Sequence, residues 1–376
     1  MNQVVRVGDV LRMDRELVDI QPEQEYRAFG MRSFGRGTIR YAPTIGSRLT
    51  KLPHFNFKST ALVLSNIKAW EGAVGVTDEE DANCVASSRF LFYVPKGEEV
   101  DVRYMRYFFL TREGLAEIGK ASRGSADRNR TLSIRAFEQI KISLPHPIEQ
   151  RRIADKLDAA MGSITRVAQL KKESGSLVQQ HADSLLRSVD QVATLGSALR
   201  VDQDFVGVSS DEKYAVTGIY SFGKGLIKRP VIQGSETAYP RFARLRKGQV
   251  VMSKLNAWEG ALAVVDERFS GTFVSPEYPV FSLNTEAADP EYIGHLLAWP
   301  DLWSRLTPRG SMVRRKRTTP ATLLTTEVPL PSLPEQRRIA ERLTLARGVA
   351  QFGARQVADL ETLRKGLLVA AFSGRL

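Results

Sequence analysis

The sequence predicts an α+β fold: two pseudo-symmetric globular domains separated by two long antiparallel coiled-coil helices. Three observations predict it. The chain repeats itself at a nearly constant offset. Each copy opens with mixed short strands and helices. Each copy closes with a proline-free run carrying one narrow apolar stripe.

The repeat comes first, because a missed repeat misassigns the fold. "SNIKAWEGAVGV" begins at Ser65 and "SKLNAWEGALAV" at Ser253, 188 positions later. At that offset "SFGRG" (33–37) meets "SFGKG" (221–225), and "AWEGA" (69–73) meets its twin at 257–261. Further on the offset is 186. There "RGS" (123–125) meets 309–311, and "EQRRIA" (149–154) meets 335–340. The expected division is a globular domain over 1–146, a long helix over 147–190, a second domain over 191–332 and a second long helix over 333–376.

Within the globular parts, "ALVLSNI", "QVVMSKL", "VASSRFLFYV" and "FVSPEYPVFSL" read as short apolar strands. "VRYMRYFFLTREGLAEIGK" and "PEYIGHLLAWPDLWSRL" read as helices, with apolar residues at three- and four-residue steps. The proline clusters of "LPHPIEQRRIADKL" and "LPSLPEQRRIAERL" mark helix starts, since proline suits a first turn and disfavours helix before it. In the second long helix, Ile339, Ala346, Gly353, Leu360 and Leu367 recur every seven residues, with Leu343, Ala350, Val357 and Ala371 between them. The small residues in mid-seam predict close helix approach. The first helix carries Ile153, Leu157, Ala160, Ile164 and Val167, and then Lys171 and Ser174 break the seam. Two such stripes are satisfied by packing on each other, and about 40 residues of helix span roughly 60 Å.

Composition narrows the function. The chain has 376 residues, enough for more than one core, and 43% are hydrophobic. The single cysteine, Cys84, excludes a disulfide framework or a multi-cysteine metal cage, and the four histidines show no ligand spacing. "MNQVVRVGDV" lacks a signal-peptide pattern, and no apolar run approaches the ~20 residues of a membrane span, so the expectation is cytoplasmic. The net charge of +12 favours a polyanionic partner.

No phosphate-binding loop, dinucleotide fingerprint, methyltransferase base-seating motif, zincin helix or nucleophile elbow occurs. The duplicated acids reduce to Glu71 and Glu259, for which a structural role is the stronger reading: a buried Trp anchors a hairpin, Gly makes the turn and Glu pairs locally. Lys68, Asn66 and Asn256 of the same turn are alternative DNA contacts. The stronger signal is basic. Residues 120–130 carry Arg123, Ser125, Arg128 and Arg130, and residues 305–317 carry Arg309, Ser311, Arg314, Arg315 and Arg317. These types suit phosphate and base-edge contacts, against the alternative of a merely solvated basic loop. A second surface holds Arg36, Arg40, Lys224 and Lys228, and its phenylalanine reads equally well as core.

The paired helix-entrance words after long domains, and the closing "LLVAAFSGRL", resemble the specificity subunits of Type I restriction-modification systems. The resemblance covers essentially the whole chain. It implies two target recognition domains, each reading one half of a bipartite site in double-stranded DNA. It implies helices that serve as spacer and as docking surface for methyltransferase subunits, two in number, with restriction subunits where a nuclease joins. It implies a non-catalytic chain without a cofactor of its own, S-adenosylmethionine and ATP with Mg being used by the partners. The alternative is a coiled-coil DNA-binding adaptor of another defence or methylation system.

Overall fold

The computed structural model describes residues 3–124, 130–306 and 317–375. It divides into two compact units: residues 1–170 with 356–376, and residues 171–355. The division falls inside both long helices, Pro147–Arg187 and Leu333–Phe372. Each unit therefore holds a globular domain and one end of each long helix.

The globular parts share a four-stranded antiparallel sheet. Its order in the first unit is Val74–Val76, Leu62–Ser65, Phe90–Pro95, Leu11–Met13. In the second it is Leu262–Val264, Val250–Met252, Val280–Leu283, Leu199–Val201. Leu62–Ser65 and Val250–Met252 are buried throughout, which explains why "ALVLS" and "QVVM" read as apolar runs without alternation. The longer strand readings each divide. "VASSRFLFYV" becomes Ala86–Ser87 in one sheet and Phe90–Pro95 in another, and "FVSPEYPVFSL" becomes Phe273–Val274 and Val280–Leu283. The helical readings divide too. Val102–Phe109 ends at Leu110, and Arg112–Ala121 restarts with Thr111 capping the Gly114 amide. Pro300 separates Pro290–Leu297 from Pro300–Arg305, as a ring without an N–H must.

The repeated Glu-Gln word has a packing reason. Gln150 is fully buried; its Nε2 donates to the Glu99 and Pro145 carbonyls, and its Oε1 accepts from the Asp101 amide at 3.0 Å. Gln336 repeats this with Ala287, Pro331 and the Asp289 amide. In each case the aspartate so held caps a helix of the globular domain. The glutamine thus ties the long helix's first turn to the cap of a domain helix.

Ile153, Ala154, Leu157 and Met161 of the first long helix enter the first unit's core together with Leu368 and Ala371 of the second. In the second unit Leu186 joins Ile339, Ala340 and Leu343. There residues 185–191 lie beside 331–342 and residues 178–186 beside 343–350, so the segments run antiparallel. Two details of the seam differ from expectation. Val167 is exposed and Ala168 turns inward, while Lys171 and Gly175 take seam positions and Ser174 faces solvent. A Cβ added at Gly175 or Gly353 would meet nothing within 4 Å, so these glycines mark slack rather than close approach.

Each domain is pinned to the long helices differently. In the first unit the Tyr107 hydroxyl donates to Asp158 at 2.6 Å, and Arg103 bridges Asp101, Asp155 and Asp158. The matching place in the second unit holds His295, bonded to the Thr344 hydroxyl at 2.8 Å, and Thr344 donates to Glu291. Burial pushes His295 down to about 4 from its ordinary 6.5, with Arg347 acting in the same direction.

Two predictions follow from these anchors. Gln336→Leu strands three backbone groups, one buried and two partly buried, so denaturant titration should show a loss of about 3 kcal/mol. His295 is neutral when folded, so its contribution is complete above about pH 6.5 and drains as pH falls toward 4, by about 3 kcal/mol. Unfolding midpoints measured across that window should fall in the native chain and flatten in His295→Gln.

Candidate nucleic-acid interface

The duplicated words meet in space. In the first unit the "AWEG" turn is a short 3-10 helix, Ala69–Glu71, closed by Gly72 at φ +81°; the second unit repeats it over Ala257–Glu259 with Gly260 at +82°. Gly260 also abuts Trp303 so closely that a Cβ would lie 2.4 Å from the indole. The "SFG" loop docks on this turn. Phe34 donates its amide to the Glu71 carbonyl and Gly35 to the Gly72 carbonyl, both at 2.8 Å; Phe222 and Gly223 do the same with Glu259 and Gly260. The Ser33 hydroxyl donates to the Glu71 carboxylate at 3.0 Å, and Ser221 to Glu259 at 3.4 Å. Lys68, 2.6 Å away, holds Glu71 below the usual carboxylate range, and Ser33 adds to this. These glutamates fasten one repeated word to another.

The basic segments border the same turn. Leu132 donates its amide to the Asn66 carbonyl at 2.7 Å, and Thr318 to that of Lys254 at 2.8 Å. The Arg130 guanidinium lies 5.1 Å from the Trp70 ring centre, and the Lys68 ammonium lies 5.4 Å from it. Trp70 is half-buried at the core's edge rather than buried, its indole N–H bonded to the Ile67 carbonyl; Trp258 is likewise half-buried and bonds Leu255. The loop, the turn and the described ends of the basic segment thus converge in each unit.

The expected contact residues fall into distinct places. Arg36, Lys224 and Lys228 are exposed, as is Asn256. Lys68 is paired with Glu71, and Arg317 lies 3.2 Å from Glu277. Arg40 differs from these: its three guanidinium nitrogens face Asp81, Glu80 and Asp78, so a phosphate would compete with three carboxylates already in place. Ser125, Arg128, Arg309, Ser311, Arg314 and Arg315 lie outside the described residues, as does the side chain of Arg123, whose backbone pairs with Thr131.

The core reading of the loop phenylalanine is corrected. Phe34 is 67% exposed and Phe222 63% exposed, and both sit at φ +62°, where a Cβ is disfavoured. Nothing in the linear spacing signals this; the glycine that follows each phenylalanine is the one available cue. No group of three or more His, Cys, Asp or Glu able to hold a metal occurs among the described residues, and no described helix is long and apolar enough to cross a membrane.

No family model matches the sequence, and no curated protein does. Solved structures do. The crystal structure of the HsdS subunit from Thermoanaerobacter tengcongensis aligns over 100% of this chain and 97% of its own, with TM-score 0.53 and 18% identity. The S subunit of the Type I restriction-modification system from M. genitalium aligns over 99% and 96%, with TM-score 0.52 and 13% identity. This chain has the fold of a Type I specificity subunit. A chain from a type I R-M system, studied for its complex assembly and conformational transition, aligns over 100% and 98% with TM-score 0.64 and 16% identity. The likeness to specificity subunits thus spans both globular domains and both long helices.

Relieving the loop's backbone should stabilise the protein. Phe34→Gly and Phe222→Gly each remove a left-handed residue bearing a Cβ, and thermal melts should show gains of about 1 kcal/mol apiece.

Proposed function

We propose that this chain is the non-catalytic, sequence-reading subunit of a Type I restriction-modification complex. Each globular domain reads one half of a bipartite site in double-stranded DNA. The long helices are the spacer and the docking surface for methyltransferase subunits, two per complex. S-adenosylmethionine belongs to those subunits, and ATP with Mg to a nuclease subunit where one joins. The observation that carries this reading is the duplicated convergence of loop, turn and basic segment, one set per unit, in a chain sharing the whole specificity-subunit fold. Two separate interfaces of one design are what a split target requires. The net charge of +12 supplies the phosphate attraction that such an interface needs.

The test is co-expression with the cognate methyltransferase subunits, followed by mapping of methylated adenines across the host genome. The expected outcome is one motif with two specified halves and an unspecified gap. Arg123→Ala and Arg309→Ala should weaken methylation without changing the melting temperature. Each phosphate contact removed lowers the slope of log affinity against log salt by about 0.9. Assembled complexes that methylate no motif would sink the reading.

A further inference from the structure

Phe34 and Phe222 are costly where they stand. Each adopts φ +62° between a serine and a glycine, and each exposes about two thirds of its surface. Glycine would fit the backbone better, and the rings bury too little to compensate. Phe222 makes one edge contact, with Trp303 at 6.5 Å between centres. Neither local conformation nor packing within the chain accounts for an aromatic here, yet both copies carry one.

The backbone beneath each ring is held firmly. In the first unit Phe34 and Gly35 bond the "AWEG" turn, the Arg32 amide donates to the Gly37 carbonyl at 3.0 Å, and Arg364 donates to the Gly35 carbonyl. In the second unit Phe222 and Gly223 bond the equivalent turn, and the Tyr220 amide donates to Gly225 at 2.9 Å. A ring on such a platform is preorganised, and binding through it sacrifices little backbone freedom. Strained, over-determined residues of this kind cluster at functional surfaces.

Charge indicates the occupant. The Arg36 guanidinium lies 5.8 Å from the Phe34 ring, and the Lys224 ammonium 5.9 Å from that of Phe222. Glu71, the acid bonded to the first loop, is already taken by Lys68 and Ser33. The described ends of the basic segments reach the same turn. A flat apolar face with a cation beside it fits a ligand that offers flat apolar faces next to anions. Bases with their phosphates do so.

We infer that Phe34 and Phe222 are stacking residues, each ring lying against base faces that are locally unstacked in one half of the DNA site. This rests on the DNA-reading proposal above, and it adds a device for indirect readout, since some base steps unstack more readily than others.

The experiment uses the full chain in complex with its methyltransferase subunits. Duplexes carrying the methylation motif have 2-aminopurine placed at successive positions. With the native complex, fluorescence should rise at a step in each half-site. Phe34→Gly should abolish the rise in one half and weaken binding at least about tenfold, with an unchanged salt slope because no phosphate contact is removed. Phe222→Gly should do the same in the other half. Phe34→Trp should restore both signals. Glycine variants that bind with native affinity and native fluorescence would overturn the inference. So would glycine variants that melt normally but shed the methyltransferase subunits on size exclusion, which would assign the rings to a protein interface. A native complex that retains no duplex at all would bring down the DNA-reading proposal and this inference together.

Discussion

Two buried glutamine side chains hold this architecture in register. Gln150 and Gln336 each sit in the first turn of a long helix and make two hydrogen bonds to the loop that caps a neighbouring domain helix and one to a carbonyl at their own helix's entrance. A fully buried amide tolerates no alternative arrangement, because each unmade bond leaves a polar group dry. The flanking Glu149–Arg152 and Glu335–Arg338 pairs are exposed and add little by comparison. Each long helix's first turn is therefore fixed to its domain by one buried amide, and the Asp158 and Thr344 contacts further along the helices add to that anchor.

The second recurring device is the lock between "SFG" and "AWEG". Two backbone bonds and one serine–glutamate bond fasten a loop that carries exposed cations and a strained aromatic. The lock is common to both units, while its surroundings differ. Arg40 meets three carboxylates in the first unit; the matching Lys228 in the second stands near Asp266, which is already paired with Arg268. One frame thus presents two electrostatic faces.

Much of this was legible in the sequence. Identical words at a fixed offset reveal the duplication, and proline followed by Glu-Gln marks both long-helix starts. What stayed hidden was how the words act on one another. "SFG" and "AWEG" lie 36 positions apart in each copy, and no periodicity announces that Ser33 reaches Glu71. The exposure of Phe34 was equally hidden, since an aromatic beside glycine reads first as core. The seam in the first helix was misjudged at Val167 because an alanine one position on, Ala168, faces inward instead. Small residues carry almost no hydrophobic signal, so a stripe built from Ala168, Gly175 and Ala182 is faint. The long apolar strand words misled for another reason: strands that change sheet do so at a bend, and a run of apolar residues does not record the bend.

The two units also differ in how the chain supplies them. The second is one continuous stretch, residues 171–355, whereas the first needs residues 356–376 from the far end. Leu368 and Ala371 belong to the first unit's core, so that core stays open until the ribosome has released the final turn of helix. Domains ordinarily close in the order in which they are synthesised. Here the order is inverted: the later half is finished first, and the amino-terminal half waits with an apolar flank uncovered. During synthesis, that flank is where a chaperone would be needed.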